Sequence, residues 1–318
     1  DQPENDHREN LQATEIIVTH HRLAVGGADL SYTARVGKMA VRDDQGKVQG
    51  DVFFSAYELD GQSGEKRPVT FAFNGGPGAG SVWLHMGGLG PMRVSLDSPG
   101  RTPPPPAGYR ANEHTWLRFT DLVFVDPIGT GFSRSSYGPT KTKSQFYGVR
   151  QDIEYLARFI HDYLNQYNLW LRPLFIAGES YGTTRAAGLP VKLNEAYGIR
   201  LNGLIMISAI LDFNTIMDQD VNDLPYLLSL PTYAAAAHFH SQLPEDTQRL
   251  PMQQFLEETE KFCLNKYSSL LVKGDSLTDA EKEFLTGQLS SRTGLPPDVI
   301  AHYRYRLPSR VILKHLLQ

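Results

Sequence analysis

Residues 173–182 read Pro173-Leu174-Phe175-Ile176-Ala177-Gly178-Glu179-Ser180-Tyr181-Gly182, a short apolar run that ends in a Gly-x-Ser-x-Gly pentapeptide. An uninterrupted apolar run closed by glycine suits a strand buried on both faces. The segment Tyr181–Tyr197 that follows is compatible with a helix, so Ser180 falls where a strand turns into a helix. Such a turn is tight enough that only glycine leaves room for the neighbouring backbone, and it holds the serine hydroxyl out at the end of the strand. The same five residues could form an ordinary strand-to-helix turn whose serine caps the helix. The strand before and the helix after make the nucleophile the better reading.

Upstream, Asn74-Gly75-Gly76-Pro77-Gly78-Ala79-Gly80-Ser81 follows the apolar run Val69–Phe73. Acyl transfer needs fixed N–H donors at the place where the tetrahedral oxyanion develops. A Gly-Gly pair after an early strand supplies one such amide, and Tyr181 supplies a second. A plain tight turn would look similar. A phosphate loop is disfavoured because no Gly-Lys-Ser/Thr follows, and the glycine spacing does not fit a dinucleotide fingerprint.

Two more apolar runs, Leu122–Val125 (ending in Asp126-Pro127) and Leu204–Ile207, complete a set of four with the character of parallel strands. In 151–167, Ile153, Leu156, Ala157, Ile160, Leu164 and Tyr167 recur at helical spacing. Before them, Glu15–Val25, Ala34–Val41 and Asp51–Leu59 are rich in β-branched and aromatic residues and are separated by turn signals such as Asp43-Asp44-Gln45-Gly46. The expectation is an α/β fold, a mostly parallel sheet with an antiparallel N-terminal edge. Pro103–Pro106 marks an exposed, stiff loop. From Leu224 strand signals stop. Thr278-Asp279-Ala280-Glu281 predicts a capped helix running to about Ser290, and Pro297–Tyr303 another. Residues 1–223 are therefore read as the core and 224–318 as a helical insertion or cap.

Composition bounds the rest. Of 318 residues, 41% are hydrophobic and 21% charged, with a net charge of −4. No basic cluster supports nucleic-acid binding, Tyr303-Arg304-Tyr305-Arg306 reading as a solvated helix end. The most apolar stretch, Leu201 to Leu211, is too short to span a membrane. Cys263 is the sole cysteine, so no internal disulfide forms. His20-His21 and His238-Phe239-His240 lack the spacing of a helix-borne metal site, and no metal or other cofactor is expected.

Taken in order, Asn74-Gly75-Gly76-Pro77-Gly78, Gly90-Pro91, Asn112, Trp116, Asp126-Pro127-Ile128-Gly129-Thr130-Gly131-Phe132-Ser133 and Gly178-Glu179-Ser180-Tyr181-Gly182 resemble the signature blocks of the serine carboxypeptidases, strongly over about 68–210. The resemblance implies an α/β-hydrolase fold and release of residues from peptide C-termini. It makes Ser180 the nucleophile and the amides of Gly76 and Tyr181 the oxyanion hole. It gives Asn74, Gly75 and Glu179 to the substrate's terminal carboxylate, Glu179 sharing a proton with it. It also suggests an exported protein.

The chain departs from that pattern. Where the family carries a second glutamate, two residues before Gly90, stands Gly88; a cysteine position is Ala79. Loss of one acid opens the alternative of an esterase or acyltransferase on the same fold. The order in such hydrolases is nucleophile, acid, histidine. The acids Asp212, Asp218, Asp220 and Asp223 come too soon after the fourth apolar run. The later histidines His238, His240, His302 and His315 all lie in the helical region. The triad Asp and His, with the last strands, are expected in a missing segment or a second chain. A non-catalytic binding protein is the reading left if they are nowhere.

Overall fold

The computed structural model describes residues 16–61, 66–97, 103–106, 108–217 and 221–317. They form two compact units, divided between Leu211 and Asp212. Ten strands lie in the first: β1 (Ile17–Val25), β2 (Ala28–Arg42), β3 (Val48–Leu59), β4 (Val69–Phe73), β5 (Met92–Val94), β6 (Tyr109–Ala111), β7 (Asp121–Asp126), β8 (Arg134–Ser135), β9 (Leu174–Glu179) and β10 (Gly203–Ile207). The main sheet runs β1-β2-β3-β7-β4-β9-β10, with β8 on β3; β5 and β6 make a separate ribbon. Strands β1, β2, β3 and β7 pair antiparallel, while β7, β4, β9 and β10 pair parallel. This is the α/β-hydrolase arrangement with its antiparallel N-terminal edge.

The four apolar runs all became parallel strands, and β4 and β7 are buried at every residue. Helix Val149–Tyr167 puts Leu156, Phe159, Ile160 and Leu164 on one face of the sheet, against Phe54, Phe71, Phe73 and Ile176. The opposite face carries a second apolar layer with Leu84, Leu89, Leu117 and Phe124. Strands β2 and β3 begin earlier than the sequence pattern indicated. Gly26 and Gly27, both at positive φ (58° and 77°), make a two-residue hairpin turn between β1 and β2. The short ribbon β5–β6 and strand β8 were not foreseen, for they have too few residues to show periodicity.

Asp121 opens β7 and lies fully inside the protein. Its carboxylate accepts from Arg67 Nε (2.6 Å), Arg172 Nη2 (2.6 Å) and the Leu59 amide (3.0 Å). Arg172 Nε also reaches the Arg67 carbonyl at 2.7 Å. These groups tie together the starts of β4, β7 and β9 and the end of β3, at the sheet end opposite Ser180.

The second unit is helical, with its own core around Leu230, Phe255, Tyr267, Leu285 and Ile300. Thr278 caps helix Asp279–Thr293 through a complete capping box with Glu281. The sequence-based boundary falls after residue 223. The end of the stretch before it is tied to the helical body by Asp223, held by Arg306 Nε and Nη2 at 2.6 and 2.9 Å. Arg306 is thus not the solvated helix end expected from the Tyr/Arg alternation. Arg304 and Tyr305 adopt positive φ (49° and 66°), which ends the helix and turns Arg306 back onto Asp223.

Breaking a buried pair strands the partner charge, at a cost of about 3–5 kcal/mol. Asp121→Ala, which strands two arginines, is expected to lose at least that much, read as a shift of the urea unfolding midpoint of the complete protein with unchanged slope.

Candidate active site

Strand β4 has β7 on one side and β9 on the other, so the connections leaving β4 and β9 diverge. Crevices at such a switch point, at the carboxyl ends of parallel strands, are where α/β sheets bind ligands. The loops that meet there are the Asn74–Ser81 turn after β4 and the Gly178–Gly182 elbow after β9.

Ser180 occupies the elbow with φ 55° and ψ −123°, a conformation uncommon outside glycine. Its amide donates to the Ile207 carbonyl (3.0 Å), and its own carbonyl accepts from the Thr183 amide (2.9 Å) and hydroxyl (2.6 Å). Ser180 does not cap the helix with its side chain. It is partly exposed, and no group among the described residues hydrogen-bonds to its Oγ.

The glycines are demanded by contact. A Cβ on Gly75 would stand 2.5 Å from the Tyr181 amide nitrogen and 2.8 Å from Ser180 Cβ; one on Gly182 would stand 2.3 Å from the Phe73 carbonyl oxygen. The two turns therefore touch backbone to backbone, and Asn74 and Gly75 lie against the serine elbow. Asn74, 1% exposed, spans them: its Nδ2 donates to Glu179 Oε2 (3.0 Å) while its Oδ1 accepts from the Leu84 amide (2.9 Å). All six residues singled out from the sequence (Asn74, Gly75, Gly76, Glu179, Ser180 and Tyr181) fall in this one place.

The turn after β7 forms a wall. Asp126 accepts from the Ser81 amide (2.7 Å) and hydroxyl (2.8 Å), locking the far end of the glycine turn. A cavity of about 330 Å³ opens beside it, lined by Pro77, Gly78, Ile128, Gly129, Tyr147 and Tyr181 among others. Gly88 sits in a single π-helical turn, His85–Leu89, and its carbonyl accepts from Asn112 Nδ2 at 2.7 Å. Nothing stands within 4 Å of where its Cβ would be, so the space for a side chain is there without the side chain.

Sequence reasoning missed two features. His85, in that π turn, is stacked on Phe124 and shares a 2.6 Å hydrogen bond with the Tyr57 hydroxyl. Burial pushes its pKa down to about 4, against a smaller opposing pull from Asp126. The other is a buried polar group around Asp152, Tyr155 and Arg185. An aromatic partner and an internal ion pair made across elements leave no mark in local spacing. Among the described residues no three His, Cys, Asp or Glu side chains converge as a metal site, and no helix is long and apolar enough to cross a membrane.

Two outcomes follow from this geometry. Overpacking typically costs about 1–3 kcal/mol; Gly182→Ala is expected to lose at least this much, seen as a lowered Tm. His85 binds its proton more weakly in the folded protein than its ordinary pKa near 6.5 allows in the unfolded chain. The unfolded chain therefore takes up the extra proton, and stability falls as pH drops from about 6.5 towards 4. His85→Gln should flatten that part of a stability–pH profile measured by urea unfolding; an unchanged profile would assign the loss to other groups.

The family profile described as serine carboxypeptidase matches residues 33–290. The chain is 27% identical over 160 residues to the pheromone-processing carboxypeptidase kex1 of Schizosaccharomyces japonicus, covering 50% of this chain and 28% of that protein. It is 27% identical over 184 residues to serine carboxypeptidase-like 36 of Arabidopsis thaliana, covering 56% and 35%. These alignments thus span about a third of the relatives' own length. Among solved structures, a cell wall degrading esterase of Xanthomonas oryzae aligns with a TM-score of 0.35 at 10% identity, over 95% of this chain and 78% of that one, too loosely to bear on function. The ordered blocks, the parallel sheet with its serine elbow and the profile match together make this chain a member of the serine carboxypeptidase family.

Proposed function

We propose that this chain is the nucleophile-bearing part of a serine-type carboxypeptidase, cleaving C-terminal peptide bonds through an acyl-enzyme on Ser180. The observation that carries the reading is the seat of Ser180: a partly exposed hydroxyl without a protein partner among the described residues, on a strained bend pressed against the Gly75-Gly76 turn. In the proposed reaction a histidine takes the Ser180 proton as Oγ attacks the last peptide carbonyl. The amides of Gly76 and Tyr181 hold the oxyanion. The protonated histidine gives its proton to the departing amine, and water then hydrolyses the acyl-enzyme. Asn74, Gly75 and Glu179 receive the substrate's terminal carboxylate, and the cavity beside Tyr181 takes a substrate side chain.

The histidine and its acid come, in this proposal, from beyond these 318 residues, in a further segment or a second chain. Strand β10 supports this. Among the described residues it is an edge strand, and its Leu204 and Met206 are 40% and 36% exposed, an unusual state for a parallel strand. Export from the cytoplasm is proposed with the family.

The vacant space over Gly88 favours a second reading, an esterase or acyltransferase with weak demand for a terminal carboxylate. Blocked dipeptides with free or amidated C-termini, and simple esters, separate the two when given to the complete protein. A carboxypeptidase cleaves the free acid at least tenfold faster than the amide; equal rates, or ester turnover without peptide turnover, reject it. Ser180→Ala should lower kcat by at least about 10³-fold and abolish labelling by a fluorophosphonate. If neither the native protein nor the variant is labelled, the fold is serving as a non-catalytic binding protein. Gly88→Glu, whose Cβ would meet no neighbour within 4 Å, should raise the preference for the free acid.

A further inference from the structure

Arg185 lies one helical turn beyond Tyr181 and is only 3% exposed, with its guanidinium 4.9 Å from the Tyr181 ring centre. Nε donates to Asp152 Oδ2 (2.7 Å) and Nη1 to the main-chain carbonyl of Asn74 (2.6 Å). Asp152 is buried too, and its other oxygen accepts from the Tyr155 hydroxyl (3.0 Å), which in turn accepts from the Ile128 amide (3.0 Å). One guanidinium thus joins the elbow helix, helix Val149–Tyr167, the turn after β7 and the glycine turn after β4.

The carbonyl it holds matters more than the charge it carries. Asn74–Gly75 is a trans peptide, so the Asn74 carbonyl and the Gly75 N–H point in opposite directions from one plane. The carbonyl faces the elbow helix, 3.1 Å from the place a Cβ on Gly182 would take. Drawing it inward turns the Gly75 N–H outward, and no acceptor for that amide is found among the described residues. A charged donor on the carbonyl also polarises the peptide and strengthens its N–H. The alternative peptide orientation would leave a buried guanidinium short of an acceptor, which is costly.

We propose that Arg185 is a positioning residue: by gripping the Asn74 carbonyl it aims the Gly75 amide at the incoming substrate and sets how well a free carboxylate is held. This rests on the carboxypeptidase reading. Asp152 and Tyr155 steady Arg185, and Asp152 supplies the counter-charge. Burial raises the Asp152 carboxyl while Arg185 pulls it back. A lysine cannot replace Arg185, since a single ammonium does not offer the planar fork that serves two acceptors set apart.

The test uses Arg185→Lys and Arg185→Met in the complete protein. Free-acid and amidated peptides are compared, Tm is recorded, and a crystal structure of Arg185→Met is solved. The free-acid preference is expected to fall at least tenfold in both variants, through KM more than kcat. Fluorophosphonate labelling of Ser180 should change less than about threefold, and the Asn74–Gly75 peptide should be rotated. Retained preference with the peptide plane unmoved overturns the proposal. So does an equal loss on both substrates that follows Tm, which would make Arg185 a packing residue only. If native Ser180 resists the fluorophosphonate, the carboxypeptidase reading is what fails, and the crystal structure of Arg185→Met still decides whether Arg185 holds the peptide.

Discussion

The structure around Ser180 depends on one steric constraint: two turns from neighbouring strands approach until backbone meets backbone. Gly75 faces the Tyr181 amide, and Gly182 faces the end of β4, each at separations that leave no room for a methyl group. Nothing larger than glycine allows the glycine turn and the elbow to share this space. The sheet order that sets β4 beside β9 is thereby coupled to the conformation of Ser180. Strain at Ser180 persists because its neighbours are fixed: Ile207 holds its amide, and Thr183 holds its carbonyl.

Forces of a different kind act at the two ends of the sheet. Charge closes one, where Asp121 pairs with both Arg67 and Arg172 in the interior and the strand starts are drawn together. At the other end the buried pair Asp152–Arg185 ties the walls of the crevice, while the turns themselves are shaped by glycine and by hydrogen bonds to main-chain groups. Buried pairs of this kind are costly to assemble and more costly to halve. Between the ends, two apolar layers clamp the central strands from both faces.

Much of this was legible in the residues. Four apolar runs, two glycine-rich turns and a helical period were enough for the α/β fold and for bringing Asn74–Gly76 and Glu179–Tyr181 together as a candidate site. These signals are local, set by the allowed conformations of short segments. What escaped detection is non-local. Asp152 and Arg185 are paired across helices, His85 is enclosed by aromatic rings from two strands, and Asp121 is shared by arginines from distant segments. Ribbon β5–β6 escaped for another reason: very short pairs carry little periodicity.

The helical unit has an apolar core of its own, from Leu230 through Leu316. A unit packed this way behaves as a module: its surface can diverge, lengthen or be exchanged during evolution while the sheet and its serine bend stay as they are. Change can then accumulate in one part of the chain while the backbone of another is held nearly constant by steric necessity.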